Sequence, residues 1–297
     1  MFSRFSYKLL ATMVACFSLM LPAWAQMSFK YVSIDFPNAT ATRAAGINSG
    51  GTIVGTYSKI EPGVPDPSPD HSDRGFRIKD GSFSTINVSG ALGTQLTGIN
   101  GNGDIVGLYN SSDDRTHGFW RHNGVIRSLS FGALAINNTP TIVGIVSAGK
   151  CAIWSNGTLH TLVLSNNANG DSTECTGISN NGKLVGENST LDNVRSFLKI
   201  GSDLDFFEPA GSPDDHATGV NSLGDVVGYC PTCGGGYLIL NPEANEGSTD
   251  REPTLTRIPI SFPGATQTVP RGINYYRVIV GSYYDSAGEH GFVAVPQ

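Results

Sequence analysis

The residues best suited to chemistry in this chain fall at two positions of a recurring sequence pattern. Tyrosine takes the first position, and a cationic or imidazole side chain takes the second. They are Tyr57, Tyr109 and Tyr283 at the first position, and Arg74, His117, Lys150, Arg195 and His290 at the second. Such groups could together bind a sugar acid or another anionic ligand. The alternative is that they bond local turn carbonyls and cover strand ends, because a binding site seldom needs the same residue in every repeat.

Acidic residues suggest a weaker candidate, a calcium site. The carboxylates that could supply oxygen ligands are Asp66, Asp70, Asp73, Asp113 and Asp114. Their spacing does not match an EF-hand loop, so a solvated acidic loop is favoured and no cofactor is expected. The histidines lack the spacing of a zinc site, and no nucleophile elbow, phosphate loop or dinucleotide fingerprint is present. The sequence therefore predicts no catalytic residue and no metal site.

Four cysteines follow the N-terminal region: Cys151, Cys175, Cys230 and Cys233. An even number in an exported protein favours two disulfides, although three pairings are possible. Cys230 and Cys233 share a loop between predicted strands, where no helix N-terminus would stabilise a thiolate. We therefore expect a local disulfide in that loop rather than a redox centre. Cys151 would then pair with Cys175.

The N-terminus has the features of an export signal. Arg4 and Lys8 come before or at the start of an apolar segment from Leu9 to Leu21, and Ala23-Trp24-Ala25 matches a cleavage site. We expect residues 1–25 to be a signal peptide and the mature protein to be secreted, outside the cell or into the periplasm. The apolar segment is too short for a good spanning helix, so no membrane anchor is expected.

The charge balance restricts the class of partner. The chain carries 19 Lys and Arg against 25 Asp and Glu, a formal charge of −6. Removal of residues 1–25 takes away two basic residues, which leaves a charge of about −8. An acidic surface argues against nucleic acid as a partner. A polysaccharide or an envelope or extracellular protein is compatible with it, and the sequence does not indicate an oligomeric state.

Six copies of one short phrase indicate the architecture. Each copy is a variant of Gly-Ile-Asn, followed by a turn and a variant of Ile-Val-Gly, and copies lie 37 to 53 residues apart. The first is Gly46-Ile47-Asn48 with Ile53-Val54-Gly55, and the last is Gly272-Ile273-Asn274 with Ile279-Val280-Gly281. A period in this range is typical of stacked units that cannot bury their apolar faces alone.

Each unit contains signals for four short strands. Asn and Gly close a first hairpin, a variable loop follows, an aromatic residue opens the third strand, and a Gly turn leads to the fourth. Four antiparallel strands in a period of about 40 residues are typical of a β-propeller blade. Tyr31–Thr40 matches Arg257–Thr266 in sequence, so the N-terminal strand should pair with the C-terminal blade and close the ring. The prediction is an all-β, six-bladed propeller that forms a single domain over residues 26–297.

The repeated phrase resembles that of the bacterial extracellular HAF-repeat proteins. The likeness rests on Gly-Ile-Asn-x-x-Gly-x-Ile-Val-Gly followed by His-Gly-Phe or a variant, as at His117-Gly118-Phe119 and His290-Gly291-Phe292. It covers nearly the whole mature chain and implies export and a repeat fold, without an assigned activity. The chain departs from the third-strand motif at Lys150-Cys151-Ala152 and at Gly235-Gly236-Tyr237.

The turns of such a fold alternate between two faces of the disc. The short glycine turns share one face, here called the turn face, and the variable loops share the other, the loop face. Variable loops on a rigid scaffold usually carry binding, so we expect a binding or scaffold module that takes a glycan or envelope ligand on the loop face. The alternative is an extracellular glycan lyase or hydrolase. That function would need two carboxylates, or a Tyr-His-Arg group, converging near the axis.

Overall fold

The computed structural model describes residues 27–59, 73–113, 115–147, 149–164, 171–191, 193–207, 214–232, 235–241 and 257–297. The predicted signal peptide, Asp66, Asp70, Asp114 and Cys233 lie outside these ranges. Among the residues described, no helix is long and apolar enough to cross a membrane.

Regular structure in the described ranges consists of β-strands, as the sequence predicts. The strands are short because turn-forming residues end them. Asp80, Asn123 and Asn156 each adopt positive φ directly before a glycine that does the same, which closes a tight hairpin. In chain order the strands are β1 (Phe29–Ile34), β2 (Ala41–Ile47), β3 (Ile53–Ser58), β4 (Asp73–Lys79), β5 (Ser82–Ile86), β6 (Gly93–Ile99), β7 (Ile105–Asn110), β8 (Thr116–His122), β9 (Val125–Leu129), β10 (Gly132–Ile136), β11 (Ile142–Val146), β12 (Lys150–Ser155), β13 (Thr158–Leu162), β14 (Ser172–Ile178), β15 (Leu184–Ser189), β16 (Val194–Ile200), β17 (Asp203–Phe207), β18 (His216–Val220), β19 (Val226–Cys230), β20 (Gly235–Ile239), β21 (Arg257–Ile260), β22 (Gln267–Ile273), β23 (Ile279–Asp285) and β24 (Gly288–Pro296).

These strands pair into sheets arranged in a ring. Four separate four-stranded sheets are β6–β9, β10–β13, β14–β17 and β18–β21. The remaining strands form one eight-stranded sheet, in which two antiparallel sets, β2–β5 and β22–β24 with β1, meet at a single parallel bridge between Ala41 and Glu289. The all-β, propeller-like class is confirmed. The sequence predicts six four-stranded blades. The structure instead has four sheets of four strands and one of eight, because that bridge joins two sets.

The N-terminal strand pairs with the C-terminal set, which confirms that part of the prediction. β1 runs antiparallel to β24, from Phe29 opposite Pro296 to Ile34 opposite Gly291. The aromatic ring of Tyr31 packs against Phe262 at a centroid distance of 5.8 Å. The first strand of the chain therefore supplies the outer strand of the last set.

An aromatic residue lying over a glycine explains why the two phrases recur together. In the first set, the ring of Phe76 on β4 covers Gly55 on β3, and a Cβ atom at Gly55 would lie 2.8 Å from that ring. The equivalent aromatic residues in four other sets are also buried: Phe119, Phe197, Tyr237 and Phe292. Ile-Val-Gly and Gly-Phe are thus two halves of one packing unit in the core between neighbouring sheets.

A disulfide joins two neighbouring sheets. Cys151 on β12 is bonded to Cys175 on β14, and both residues are buried. This pairing confirms the prediction. Cys230 is also disulfide-bonded, whereas its predicted partner Cys233 lies outside the described residues, so that pairing stays a prediction.

Candidate functional site

A central channel is built in layers, and each repeat contributes one residue to each layer. Side chains alternate along the innermost strands, so the residues directly before and after the recurring glycine, which is Ala135 in the third repeat, face the axis. The layer after the glycine, here called the aliphatic ring, is Ile47, Ile99, Ile136, Ile178, Val220 and Ile273. The layer before it is Ala45, Thr97, Leu134, Thr176, Thr218 and Arg271.

The aliphatic ring divides the channel into two cavities. It lines a cavity of about 320 Å³ toward the loop face and also a smaller one of about 80 Å³ toward the turn face. Because all six aliphatic residues border both cavities, the larger cavity narrows to an apolar floor. We call this larger cavity the funnel.

Beyond the aliphatic ring, amide side chains link one repeat to the next. We call Asn48, Asn100, Asn137, Ser179, Asn221 and Asn274 the asparagine ring. The Nδ2 atom of each asparagine donates to the carbonyl oxygen of the next member, and Asn274 closes the ring by donating to Asn48. The donor–acceptor distances are 3.0 Å for Asn48, 3.0 Å for Asn100, 3.3 Å for Asn137, 3.1 Å for Asn221 and 3.2 Å for Asn274. The repeated Asn is therefore architectural.

The layer above the floor contains one charged residue among small or aliphatic ones. Its threonines donate their hydroxyls to carbonyl oxygens of the next repeat: Thr97 to Ala133, Thr176 to Ala217 and Thr218 to Pro270. Arg271 takes the equivalent place in the last repeat, and its buried Nε has no hydrogen-bond partner among the described residues. A buried donor without a partner costs free energy of folding. Arg271 is therefore a strong candidate for binding an anionic ligand.

Two glutamates face each other on the funnel wall. Glu174 on β14 lies opposite Glu187 on β15, and both line the funnel. Burial raises the pKa of Glu174, the negative charge of Glu187 raises it further, and His216 opposes the change. Glu174 is therefore poised to take up a proton above the pH at which an ordinary glutamate does.

A charged histidine lies beside these glutamates. His216 Nδ1 is 3.0 Å from Glu187 Oε1, and its Nε2 is 2.9 Å from Asp214 Oδ1. The hydrogen bond to Glu187 is the largest cause that raises the His216 pKa from 6.5 to about 9, while burial opposes it. His216 is thus protonated at neutral pH and supplies positive charge rather than acting as a base.

A tyrosine completes the group. Tyr229 lines the funnel and lies opposite His216, with the two rings stacked at 4.7 Å. Burial raises the Tyr229 pKa, the charge of Glu187 adds to this, and Arg271 opposes it. The Tyr229 hydroxyl is therefore neutral and can donate or accept a hydrogen bond within the funnel.

A second ionic group lies where the eight-stranded sheet is joined. Arg43 Nε donates to Glu289 at 2.6 Å and Nη1 lies 3.5 Å from Asp73, whose carboxylate also accepts from Gln95 at 2.8 Å. Asp73 and Glu289 side chains are 3% and 9% exposed. These charges are mutually satisfied, so the group holds two strand sets together.

The eight predicted binding residues do not line the funnel. Two of the tyrosines lie across from a histidine of the predicted set on the neighbouring strand: Tyr109 opposite His117, and Tyr283 opposite His290. The rings of both pairs stack with centroids 5.1–5.2 Å apart. Tyr57 lies opposite Arg74, is buried and stacks on Phe36 at 3.6 Å.

The cationic members of the predicted set also have local contacts. Arg74 donates to the carbonyl of Leu92 at 3.0 Å, and the Arg195 guanidinium lies over Phe206 at 4.8 Å. Lys150 is half-buried at the start of β12. The structure thus brings six of these residues together as three pairs, whereas Lys150 and Arg195 lie opposite Val146 and Asn188. Ligand binding by the set stays a prediction.

No metal site is formed by the residues that the structure describes, in which no three His, Cys, Asp or Glu side chains are suitably grouped. Of the aspartates considered for calcium, Asp73 belongs to the ionic group with Arg43, and Asp113 is hydrogen-bonded to Ser111.

Sequence reasoning missed the funnel residues Glu174, Glu187, Tyr229 and Arg271, and the adjoining His216. Signals for them exist. Arg271 departs from the small or aliphatic residues at its repeat position, and the other four stand at strand positions where no residue type recurs. The search for repeated residue types selected against such departures.

Comparison with known proteins supports the fold alone. No protein-family model matches the chain, and no match was found among curated protein sequences. Virginiamycin B lyase from Staphylococcus aureus is similar in structure, with a TM-score of 0.51, 13% identity, and coverage of 90% of this chain and 100% of the lyase. A putative oxidoreductase (glucose dehydrogenase) from Thermus thermophilus has a TM-score of 0.51 and 11% identity, with coverage of 90% of this chain and 100% of the oxidoreductase. Aleuria aurantia lectin, solved as a point mutant with Fucα1-6GlcNAc, has a TM-score of 0.51 and 10% identity, with coverage of 87% of this chain and 94% of the lectin.

Proposed function

We propose that the protein is an exported binding module whose funnel takes a small glycan carrying an acidic group, such as a terminal sugar acid. The observation that carries this proposal is Arg271, a cationic side chain on the funnel wall whose buried Nε lacks a partner among the described residues. A guanidinium in that state favours a carboxylate, which offers two acceptor oxygens.

The rest of the funnel suits the remainder of such a ligand. Glu174, Glu187 and Tyr229 offer acceptors and a hydroxyl to sugar hydroxyls, and the aliphatic ring provides an apolar floor. The volume of about 320 Å³ is near the lower end of the usual range for small-molecule sites, roughly 300–1,000 Å³. It therefore suits one terminal sugar residue better than the middle of a chain.

Three further features of the proposal extend predictions made from the sequence. The two antiparallel sets of the eight-stranded sheet share a single bridge, so we count them as separate blades of a six-bladed propeller. The N-terminal segment directs export, and the disulfide between Cys151 and Cys175 is compatible with an oxidising compartment. The resemblance of the repeat phrase to that of the HAF-repeat proteins supports membership of that family.

The proposal is tested by isothermal titration calorimetry with glucuronic acid, and with glucose as the uncharged control. We expect glucuronic acid to bind and Arg271→Gln to weaken binding at least tenfold, because a charge-assisted hydrogen bond contributes about 1.5–3 kcal/mol. Arg115→Gln removes the same charge from an exposed side chain and should change binding less than twofold. Failure of the native protein to bind, or equal binding by the Arg271 variant, would contradict the proposal.

A second candidate function is an extracellular glycan lyase or hydrolase that uses the same funnel. The observation that favours it is the convergence of two facing glutamates, Glu174 and Glu187, with Tyr229, His216 and Arg271. The raised pKa of Glu174 suits a general acid. Incubation with uronate-containing polysaccharides should then yield new reducing ends, and Glu174→Gln should abolish them while leaving glucuronic acid bound. Absence of product from the native protein would leave binding as the function.

A further inference from the structure

The turn face departs from the repeat at one place. The two residues after each member of the asparagine ring are small, polar or aliphatic in five repeats. In the sixth they are Tyr275 and Tyr276, which are 52% and 63% exposed. Their rings pack edge to face with centroids 5.5 Å apart. Large aromatic side chains with such exposure are absent from the equivalent turns, so the fold does not require them.

This turn is held rigidly by the neighbouring repeat. Arg277 adopts a φ of 61°, the left-handed region that a glycine occupies in four other repeats: Gly51, Gly103, Gly182 and Gly224. A non-glycine residue in that region has a strained backbone. The Arg277 guanidinium binds the buried carboxylate of Asp225 at 2.8 and 3.4 Å. That ion pair offsets the backbone cost and fixes the turn that carries the two tyrosines.

Beside the tyrosines lies the smaller cavity of the channel, whose rim is made of uncharged polar groups. Tyr275 borders it together with Asn138, Asn180 and Ser222, which occupy the equivalent position in other repeats. The charge of Arg277 is balanced by Asp225. The surface near Tyr275 therefore combines aromatic faces with neutral donors and acceptors.

We propose that Tyr275, Tyr276 and this amide rim form a second glycan-binding site, on the turn face, for a neutral oligosaccharide. A sugar ring with equatorial hydroxyls has flat C–H faces that pack against an aromatic ring, while amides and hydroxyls bond its edges. Two tyrosines are far too small for a stable protein interface, which buries about 800 Å² per partner. The rigid turn lowers the ordering cost of binding.

This site is independent of the funnel, because the aliphatic ring separates the two cavities and the ligands differ in charge. The turn-face site should bind with little dependence on salt, since screening acts on charged pairs. Failure of one site therefore leaves the other untouched.

Calorimetry with cellopentaose, whose ring hydroxyls are equatorial, tests the proposal. We expect the native protein to bind it, and to bind a galactose-based pentasaccharide more weakly because its axial hydroxyl interrupts one flat face. Tyr275→Ala with Tyr276→Ala should weaken binding at least tenfold, about 1.4 kcal/mol. The double change to Phe, which keeps both rings, should stay within about threefold of the native affinity by the same relation.

Two controls separate a site from a structural effect. Leu223→Ala removes apolar surface at the position equivalent to Tyr276 in the neighbouring repeat and should leave binding unchanged. Arg271→Gln should also bind cellopentaose normally, although it weakens glucuronic acid. Lack of cellopentaose binding by the native protein, or equal binding by the folded double Ala variant, would overturn the proposal.

Discussion

Single residues carry functional information in this chain mainly where they break the repeat. Thr97, Thr176 and Thr218 bond the next repeat in the same way, so their recurrence reflects assembly. Arg271 takes the equivalent position, but its buried Nε makes no hydrogen bond to the described residues. Tyr275 similarly replaces Asn138 and its equivalents. In a ring of similar units, a departure at an inward or rim position is more informative than a recurrence.

His216 provides a pH-dependent test at this scale. Its pKa is about 9 in the folded chain against 6.5 ordinarily, mainly through the hydrogen bond to Glu187. The folded state therefore holds this proton more tightly, so the stability it contributes is complete below pH 6.5 and is lost as pH rises through 9. The shift corresponds to at most about 3–4 kcal/mol at about 1.4 kcal/mol per pKa unit. Solvent screening of a half-buried group reduces this to about 1–2 kcal/mol.

Urea unfolding of the native protein and of His216→Gln measures this contribution. The native protein should be the more stable of the two below pH 6.5, and the difference should shrink above pH 9. A direct titration of the imidazole by NMR gives the pKa independently. A midpoint near 6.5 would show that Glu187 and Asp214 do not hold the proton.

At the scale of strands, the sequence determines hairpins well because the signals are local. Asn48 shows why: its Oδ1 accepts from the backbone of Thr52 at 3.0 Å, which closes the turn, and its Nδ2 bonds the next repeat. Such residues could be predicted from spacing. The meeting of Glu174 with His216 could not, because they belong to different sheets and approach only once the ring forms. Likewise, nothing local indicates that Ala41 and Glu289 form a bridge.

The asparagine ring has one weak junction, which yields a prediction about strand connections. Ser179 bonds its own turn through Oγ, which accepts from the backbone N of Lys183 at 2.9 Å, but it cannot reach Asn221 as an asparagine would. Ser179→Asn should add one amide bond and stabilise the fold by about 1 kcal/mol. That gain should raise Tm by about 2–4 °C.

The reciprocal variant is the matched control. Asn48→Ser keeps a turn acceptor and removes the bond to Asn100 at 3.0 Å, so it should lower stability by a similar amount. Calorimetric scans of both variants give the comparison. Equal melting of Ser179→Asn and the native protein would mean that amide bonding between repeats contributes little.

For the whole molecule, several contacts close the ring at one place. β1 pairs along its length with β24, Asn274 donates to Asn48, and Arg43 bonds Glu289. The first of these could be predicted, because Tyr31–Thr40 repeats the sequence of Arg257–Thr266. The structure explains that match: Phe36 stacks on Tyr57 and Phe262 on Tyr283, both at nearly parallel angles. The same segment therefore packs in the same way against two sets.

Removing β1 tests whether closure stabilises the whole molecule. A chain beginning at Asp35 lacks all six residues paired with β24, including Ile34, which is 7% exposed and packs with Ala44 and Phe76. The unpaired edge and the lost apolar burial should cost several kcal/mol, a large share of a typical stability of about 5–15 kcal/mol. The control chain begins at Met27 and keeps β1. Urea unfolding should show a large loss of stability, or no folded protein, for the shorter chain only. Because a cooperative ring unfolds as one unit, the loss should appear equally in the fluorescence of Trp120 and Trp154, which are far from β1 in sequence, and in near-ultraviolet signals from tyrosine. Similar stability of the two chains would show that β24 and the contacts of Asn274 and Arg43 close the ring without β1.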